Sequence, residues 1–402
     1  MTPTTRLALA GFAATAIAFG PARMGFGLFL PEFRAEFDLS STIAGLIASA
    51  GFAAFLAALP FAALLVSRTG PRLPVVSGAI LATAGFLAVA LAPNAMVLTI
   101  GVALAGSSAG LCWAPFNDAT ERVATEDARS SILSIIATGT SLGVAAAALL
   151  ALAVTYDHLP WTAAWVVFAL AASFTAIAAV LSVPAGVERR AARRTRLQAI
   201  SELLCWPAVP LYAAALCFGA TNAIYLSFAA DRIVTAGGLP GLPETSAAPV
   251  IFLGYGLFGL LGLATGRVEA AIGLGWLLRA IFSAAALSMV LVALAPTLWP
   301  AVIASSGLHG AALMAVSAVF SFWSLRLFPG RGTRGFTAAL VALAIGSVVG
   351  PAVSGVLADQ IGSRAMFLTA AVPALLTALW PLAWPETRAG SGTGQLAAAS
   401  SA

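Results

Sequence analysis

The feature that most constrains this chain is a series of twelve apolar runs of roughly twenty residues, each cut from the next by a short polar interval. They cover about 7–30, 41–66, 73–93, 96–118, 132–154, 161–183, 207–230, 247–266, 272–296, 301–325, 336–358 and 365–384. A run of that length spans the hydrocarbon core of a bilayer as a helix, because lipid offers the backbone no hydrogen-bond partners. Only 9% of the 402 residues are charged and 60% are hydrophobic, whereas a soluble domain carries about 25% charged residues. Such a chain cannot cover its own surface with polar groups. The expected fold class is an all-α polytopic membrane protein, and a soluble enzyme, a disordered chain and a nucleic-acid binder are excluded.

All twenty basic residues are Arg. With an even number of spans both termini share a side, and the arginines choose it. Placing the N-terminus in the cytoplasm puts fifteen arginines in inner loops, among them Arg6, Arg68, Arg72, Arg122, Arg129 and the 189–196 cluster, against Arg34, Arg232 and Arg364 outside. The positive-inside rule then predicts cytoplasmic termini in a bacterial inner membrane. Trp161, Trp206, Trp299, Trp380 and Trp384 fall near span ends, where amphipathic rings settle. Arg6 and the apolar run behind it read as a retained first span. Cys112, Cys205 and Cys217 have no paired or metal-like spacing, so free thiols are expected, with no metal and no cofactor.

The organisation expected is an N-terminal six-helix bundle over 1–183, a cytoplasmic linker over 184–206, a second six-helix bundle over 207–384, and a disordered tail over 385–402. The linker is Arg-rich, suited to anionic headgroups, and Leu197, Ile200, Leu203 and Leu204 recur at helical spacing along it. The two bundles carry a repeat. Phe19-Gly20 and Phe218-Gly219 lie 199 residues apart, as do Arg68 and Arg267. GTSLG from Gly139 and GSVVG from Gly346 occupy the fifth and eleventh runs, equivalent places in a duplicated six-helix unit.

These features resemble the major facilitator superfamily of secondary transporters, over residues 7 to 384. Arg68, Gly70 and Arg72 match the family's loop signature between the second and third spans, with Ala63 and Ser67 departing from it. Gly346, Gly350, Pro351, Gly355, Asp359 and Gly362 match the family's eleventh span. The first span and its loop are similar to bacterial permeases of the cyanate and nitroimidazole type. The resemblance implies twelve helices in two pseudo-symmetric bundles, a small-molecule substrate held between them, and transport by symport or antiport.

An ionisable side chain within a span costs about 2.5–3.5 kcal/mol on insertion scales, so each demands a reason. Arg23 sits deep in the first span. Its planar guanidinium suits a carboxylate; alternatively it snorkels to the headgroups or pairs with an acid on a neighbouring span. At the 199 offset Arg23 corresponds to Asn222 and Phe26 to Tyr225, which would face each other across a central cavity. Trp113 and Tyr255 are further candidates for its lining. Asp118 and Glu121 close the fourth span on one helix face, either as structural partners of Arg68, Arg72 and Arg122 or as proton-exchanging acids. His309, the one intramembrane His, is a proton site or a hydrogen-bonded core residue. Arg279 is expected to snorkel. Gly139, Gly143, Gly346 and Gly350 have the small-x-x-x-small form and are expected at an interface that rocks during transport, with Pro351 as a hinge.

No nucleotide-binding loop is present in the sequence. The function expected is therefore a secondary transporter, driven by protons and moving a small organic solute, anionic in character, as a monomer. The alternative is a proton-driven efflux pump for apolar drugs. A membrane-embedded enzyme lacks a nucleophile, metal set or paired acids at one depth, and a receptor without flux is the remaining class.

Overall fold

The structure is a computed structural model describing residues 2–187, 205–243, 246–328 and 332–380. Eleven helical segments among these are long and apolar enough to cross a membrane. The first ten are α1 (Pro3–Leu28), α2 (Ser41–Thr69), α3 (Arg72–Ala90), α4 (Ala95–Val123), α5 (Ala128–Tyr156), α6 (Trp161–Ser182), α7 (Trp206–Thr235), α8 (Ala247–Ile272), α9 (Leu274–Leu294) and α10 (Trp299–Leu327). The last, Arg334–Leu379, breaks at Gly362, whose φ of 83° is not helical. It is therefore two spans, α11 (334–361) and α12 (363–379), and the total among the described residues is twelve. The linker arginines, Leu197, Ile200, Leu203, Leu204, Trp384 and the 385–402 tail lie outside the described residues.

Several helices overrun the apolar runs that announce them. α2 continues to Thr69, α4 to Val123 and α10 to Leu327, each reaching the face that carries the arginine-rich loops. A helix's internal hydrogen bonds do not stop where lipid stops, so polar residues extend it into water. α1 is interrupted at Gly20, just before Pro21, which has no N–H to donate. Beyond α1 a short helix, Leu30–Phe37, lies on the Arg-poor face.

The duplication is visible in the packing. α1 packs on α5, and α7 on α11. α2 packs on α4, and α8 on α10. α3 packs on α4 and α6, and α9 packs on α10 and the α11–α12 segment. The two halves meet where α2 lies against α11, α5 against α8 and α1 against α7, again a set that maps onto itself under exchange of the halves. Hydrogen bonds join the halves between mid-seam and the Arg-poor face: Ser49 Oγ donates to the Val348 carbonyl at 2.7 Å, and the Ser41 and Thr42 N–H groups donate to Asp359.

The paired glycines need relocating. A Cβ at Gly139 or Gly143 would strike Phe12, Thr15 or Ala16 of α1; one at Gly346 or Gly350 would strike Leu216 or Ala220 of α7. These four residues bring helices together inside each half, and the expectation that they sit at the rocking interface is corrected. In lipid, close backbone approach replaces the hydrophobic drive that water would supply, so tight glycine contacts form wherever two helices pack closely, inside a half or at the seam. The seam has its own set: Gly27 against Leu226, Gly45 against Pro351, Gly256 against Ser141 and Ala145, and Gly355 against Ser41. Pro351 thus offers its carbonyl to the seam.

Candidate functional site

The break at Gly20 starts a new helical stretch, Pro21–Leu28, that carries Arg23, Phe26 and Gly27. A Cβ on Gly27 would overlap the backbone carbonyl of Leu226 on α7. At the 199 offset Leu226 is Gly27's own counterpart in the second repeat. A residue that touches its counterpart lies on the pseudo-twofold axis, so the axis passes between Gly27 and Leu226.

Arg23 stands one turn from this point. Its guanidinium lies 4.7 Å from the Phe55 ring centroid, 5.4 Å from Phe52 and 5.8 Å from Phe19. Such faces attract a cation but satisfy none of its N–H donors. Nε and Nη2 are shut off from solvent without a hydrogen-bond partner. Arg23 therefore neither snorkels nor pairs with an acid among the described residues. It lines a cavity with Phe26, Gly27, Phe52, Phe55 and, from α7, Leu226 and Ser227. About 20 Å³ is open to the centre of a water-sized sphere, room for a water or two and too little for an organic solute.

The second repeat supplies a polar network of another kind. Tyr255 donates its hydroxyl to Asn222 Oδ1 at 2.9 Å. The Tyr225 hydroxyl is 2.9 Å from Ser305 Oγ, and Ser305 donates to the Ser288 carbonyl at 2.8 Å, so Tyr225 is the donor of that pair. Ser288 donates to the Ala285 carbonyl at 2.7 Å while standing 2.6 Å from His309 Nδ1. Ser288 and His309 Nδ1 thus share one hydrogen bond. His309 Nε2 is buried and without a partner. The ring is stacked on Tyr225 at 4.0 Å with a 10° tilt, and on Tyr255 at 6.1 Å.

The structure thus brings Arg23 and Phe26 to the cavity, and gathers Asn222, Tyr225, Tyr255 and His309 into a neighbouring network. It does not bring the remaining candidates there. Trp113 packs with the cluster of Leu7, Phe116 and Ile136 and does not line the cavity. Asp118 pairs with Arg122 at 2.6 Å near the Arg-rich face, and Glu121 is exposed on the same helix. Arg122 donates to the Gly186 carbonyl at 2.6 Å, and Arg72 to the Val183 carbonyl at 2.7 Å. Gly70, at φ 85°, fits against Gly186. This end of the N-terminal half is a brace between the α2–α3 loop, α4 and the end of α6. Asp118 joins it through Arg122, and neither Asp118 nor Glu121 lines the cavity. Arg68 is exposed. Arg279 lies 4.9 Å over Trp276, an exposed ring.

Comparison with known proteins decides the family. The family model described as Major Facilitator Superfamily matches residues 11–280. The chain belongs to the Major Facilitator Superfamily. As a member it is a transporter and not an enzyme, and members of this superfamily bind small-molecule substrates within a membrane. A rat (Rattus norvegicus) protein, monocarboxylate transporter 13, is 36% identical over 109 residues, 27% of this chain and 25% of its own length; the match therefore spans about a quarter of that relative. The nucleoside transporter NupG, in a point-mutant form, superposes with a TM-score of 0.78 at 11% identity, covering 94% of this chain and 98% of the other. A peptide transporter POT in complex with sulfate gives 0.73 at 15% identity, over 94% and 93% of the two chains. A bacterial homologue of the human lysosomal transporter Spinster, inward-facing and unoccupied, gives 0.69 at 15%, over 94% and 95%. At such identities these structures attest the superfamily fold alone.

Sequence reasoning gave no site role to four charged residues on the Arg-poor face: Glu32, Arg34, Asp231 and Asp359. Arg34 Nε is 3.2 Å from Asp231 Oδ1. The repeat held the signal, since Glu32 and Asp231 are 199 residues apart and are therefore counterparts.

Proposed function

We propose that this protein is a secondary active transporter of a small organic anion, working by alternating access with the solute bound between Arg23 and the second repeat's network. The observation that carries the reading is Arg23: a permanently charged guanidinium at the pseudo-twofold axis, with two buried N–H-bearing atoms unsatisfied. Buried charge left unpaired is costly, and an anionic solute supplies the missing acceptors in the bidentate geometry a guanidinium prefers. Asn222 and Tyr255 stand across the seam to take the solute's other pole. The relative named as a monocarboxylate transporter accords with an anion.

The coupling ion in this reading is the proton, and His309 is the group that takes it. Its buried Nε2, which has no partner, accepts the proton while Nδ1 keeps its bond to Ser288. The chain acts as a monomer in a bacterial inner membrane with both termini cytoplasmic, as its arginine distribution supports. Its two bundles, 1–183 and 207–384, are the lobes that pivot.

A ligand thermal-shift screen of small carboxylates on purified protein tests this. Wild type should be stabilised by at least one carboxylate, and Arg23→Gln should not respond while keeping its own melting point. If carboxylates leave wild type unmoved and apolar drugs stabilise both forms, Arg23 is structural and the protein is an efflux pump for such compounds.

A further inference from the structure

The first turn of α2 is capped from the other half of the molecule. Ser40 Oγ accepts from the Ile43 N–H at 3.2 Å, the ordinary local cap. The two preceding donors do not use their own chain segment. Ser41 N–H reaches Asp359 Oδ1 at 2.9 Å and Thr42 N–H reaches Asp359 Oδ2 at 2.8 Å. Asp359 sits at the far end of α11, so its carboxylate faces the positive end of a helix that belongs to the opposite lobe.

The cap is tied to a second bridge. Arg34 Nη2 donates to Ser41 Oγ at 2.6 Å, and Arg34 Nε lies 3.2 Å from Asp231 Oδ1. Arg34 and Ser41 come from the first half, Asp231 and Asp359 from the second. The chain Asp231–Arg34–Ser41–Asp359 therefore crosses the seam twice. The helix bearing Arg34 is fixed from behind, with Phe33 edge-on to Trp161 at 5.1 Å and beside Trp165 at 5.9 Å. Around the cap the backbones are in contact, Gly355 against the Ser41 carbonyl and Gly45 against that of Pro351.

We infer that Asp359 and Arg34 form a latch that holds the Arg-poor face shut, with Asp359 acting as a helix cap supplied in trans. This rests on the alternating-access reading. Separating the lobes on this face strips the α2 terminus of two charge-assisted bonds and breaks the Arg34–Asp231 pair together, so the network stabilises one conformation of the cycle and not the other.

The test is pulsed electron–electron distance measurement between spin labels at Glu36→Cys and Ile361→Cys, in a full-length chain whose three native cysteines are replaced, reconstituted in lipid nanodiscs. The latch predicts a dominant short distance in the parent. Asp359→Ala should raise the long-to-short ratio at least tenfold, and Asp231→Asn should raise it by a smaller factor. Exchanging the pair, Arg34→Asp with Asp231→Arg, should recover part of the short population lost in Arg34→Asp alone. Melting points within a few degrees of the parent confirm folding, and Asp359→Asn, which keeps one acceptor, serves if the alanine variant fails to fold. A ratio unmoved by Asp359→Ala, Asp359→Asn and Asp231→Asn, in a parent that does sample both distances, overturns the latch and leaves alternating access standing. A parent confined to one distance across pH 5–8 and a panel of small carboxylates overturns both.

Discussion

Gly27 has its own repeat counterpart, Leu226, as its nearest neighbour across the seam, with no room for a Cβ between them. The axis relating the two halves therefore passes between a glycine and its counterpart, and the close approach of the halves beside Arg23 depends on that glycine. Gly27→Leu should prevent the halves from closing on the Arg-poor face. Each half keeps its own packing, so the variant should fold, with a melting point within a few degrees of wild type, while solute flux falls at least tenfold. Normal flux through Gly27→Leu would show that this contact is not made during transport.

The glycines inside each half should behave in the opposite way. Gly346→Val would drive a branched side chain into the α7 backbone at Leu216 and Ala220. Overpacking of this kind costs about 1–3 kcal/mol. The expected result is a clear drop in melting temperature and yield, measured by thermal unfolding in detergent. A variant as stable as wild type with altered flux would return Gly346 to the rocking interface.

Glu32 gives a pH dependence with a definite sign. It lies beyond α1 on the Arg-poor face, with Oε2 buried and unbonded, and burial pushes its carboxyl up to about 7, partly offset by a hydrogen bond from its own backbone. A carboxyl whose folded pKa exceeds its unfolded value of 4.5 binds its proton more tightly when folded. Its contribution to stability is therefore complete below about 4.5 and is lost as pH rises through about 7. Glu32→Gln, neutral at every pH, should flatten the decline in melting temperature between pH 5 and 8 and leave the low-pH value unchanged. An identical pH profile in both proteins would mean that Glu32 ionises freely in the folded state.

His309 should separate coupling from binding. His309→Gln keeps a hydrogen bond to Ser288 but cannot take up a proton near neutral pH. Carboxylate exchange between equal pools should persist, whereas accumulation driven by a pH gradient across proteoliposomes should vanish. Accumulation at the wild-type level would place the coupling proton elsewhere.

How much of this was legible in the sequence follows from what periodicity encodes. The spans and the duplication could be read because lipid imposes one rule on every helix, and an offset found at Phe19 and Phe218 also holds at Gly27 and Leu226. Arg23 could be singled out because burying a guanidinium is costly wherever it sits. What could not be read was rotation about each helix axis. Asp118 could be read either as a proton-exchanging acid or as a partner of a nearby arginine, and only the fold shows its pair with Arg122. The Gly139 and Gly346 pairs announce close packing but not the partner. Asp359 matches a family motif in sequence, and only the fold shows that its carboxylate caps α2.

The most direct test of the central claim is uptake of radiolabelled small carboxylates into proteoliposomes by wild type and Arg23→Gln. Truncating one side of a buried charge pair costs about 2–5 kcal/mol, so saturable carboxylate uptake in wild type should fall by about thirtyfold or more in Arg23→Gln, with the melting point preserved. Carboxylate uptake that is equal in the two proteins would contradict the assignment of Arg23 as the anion-binding group.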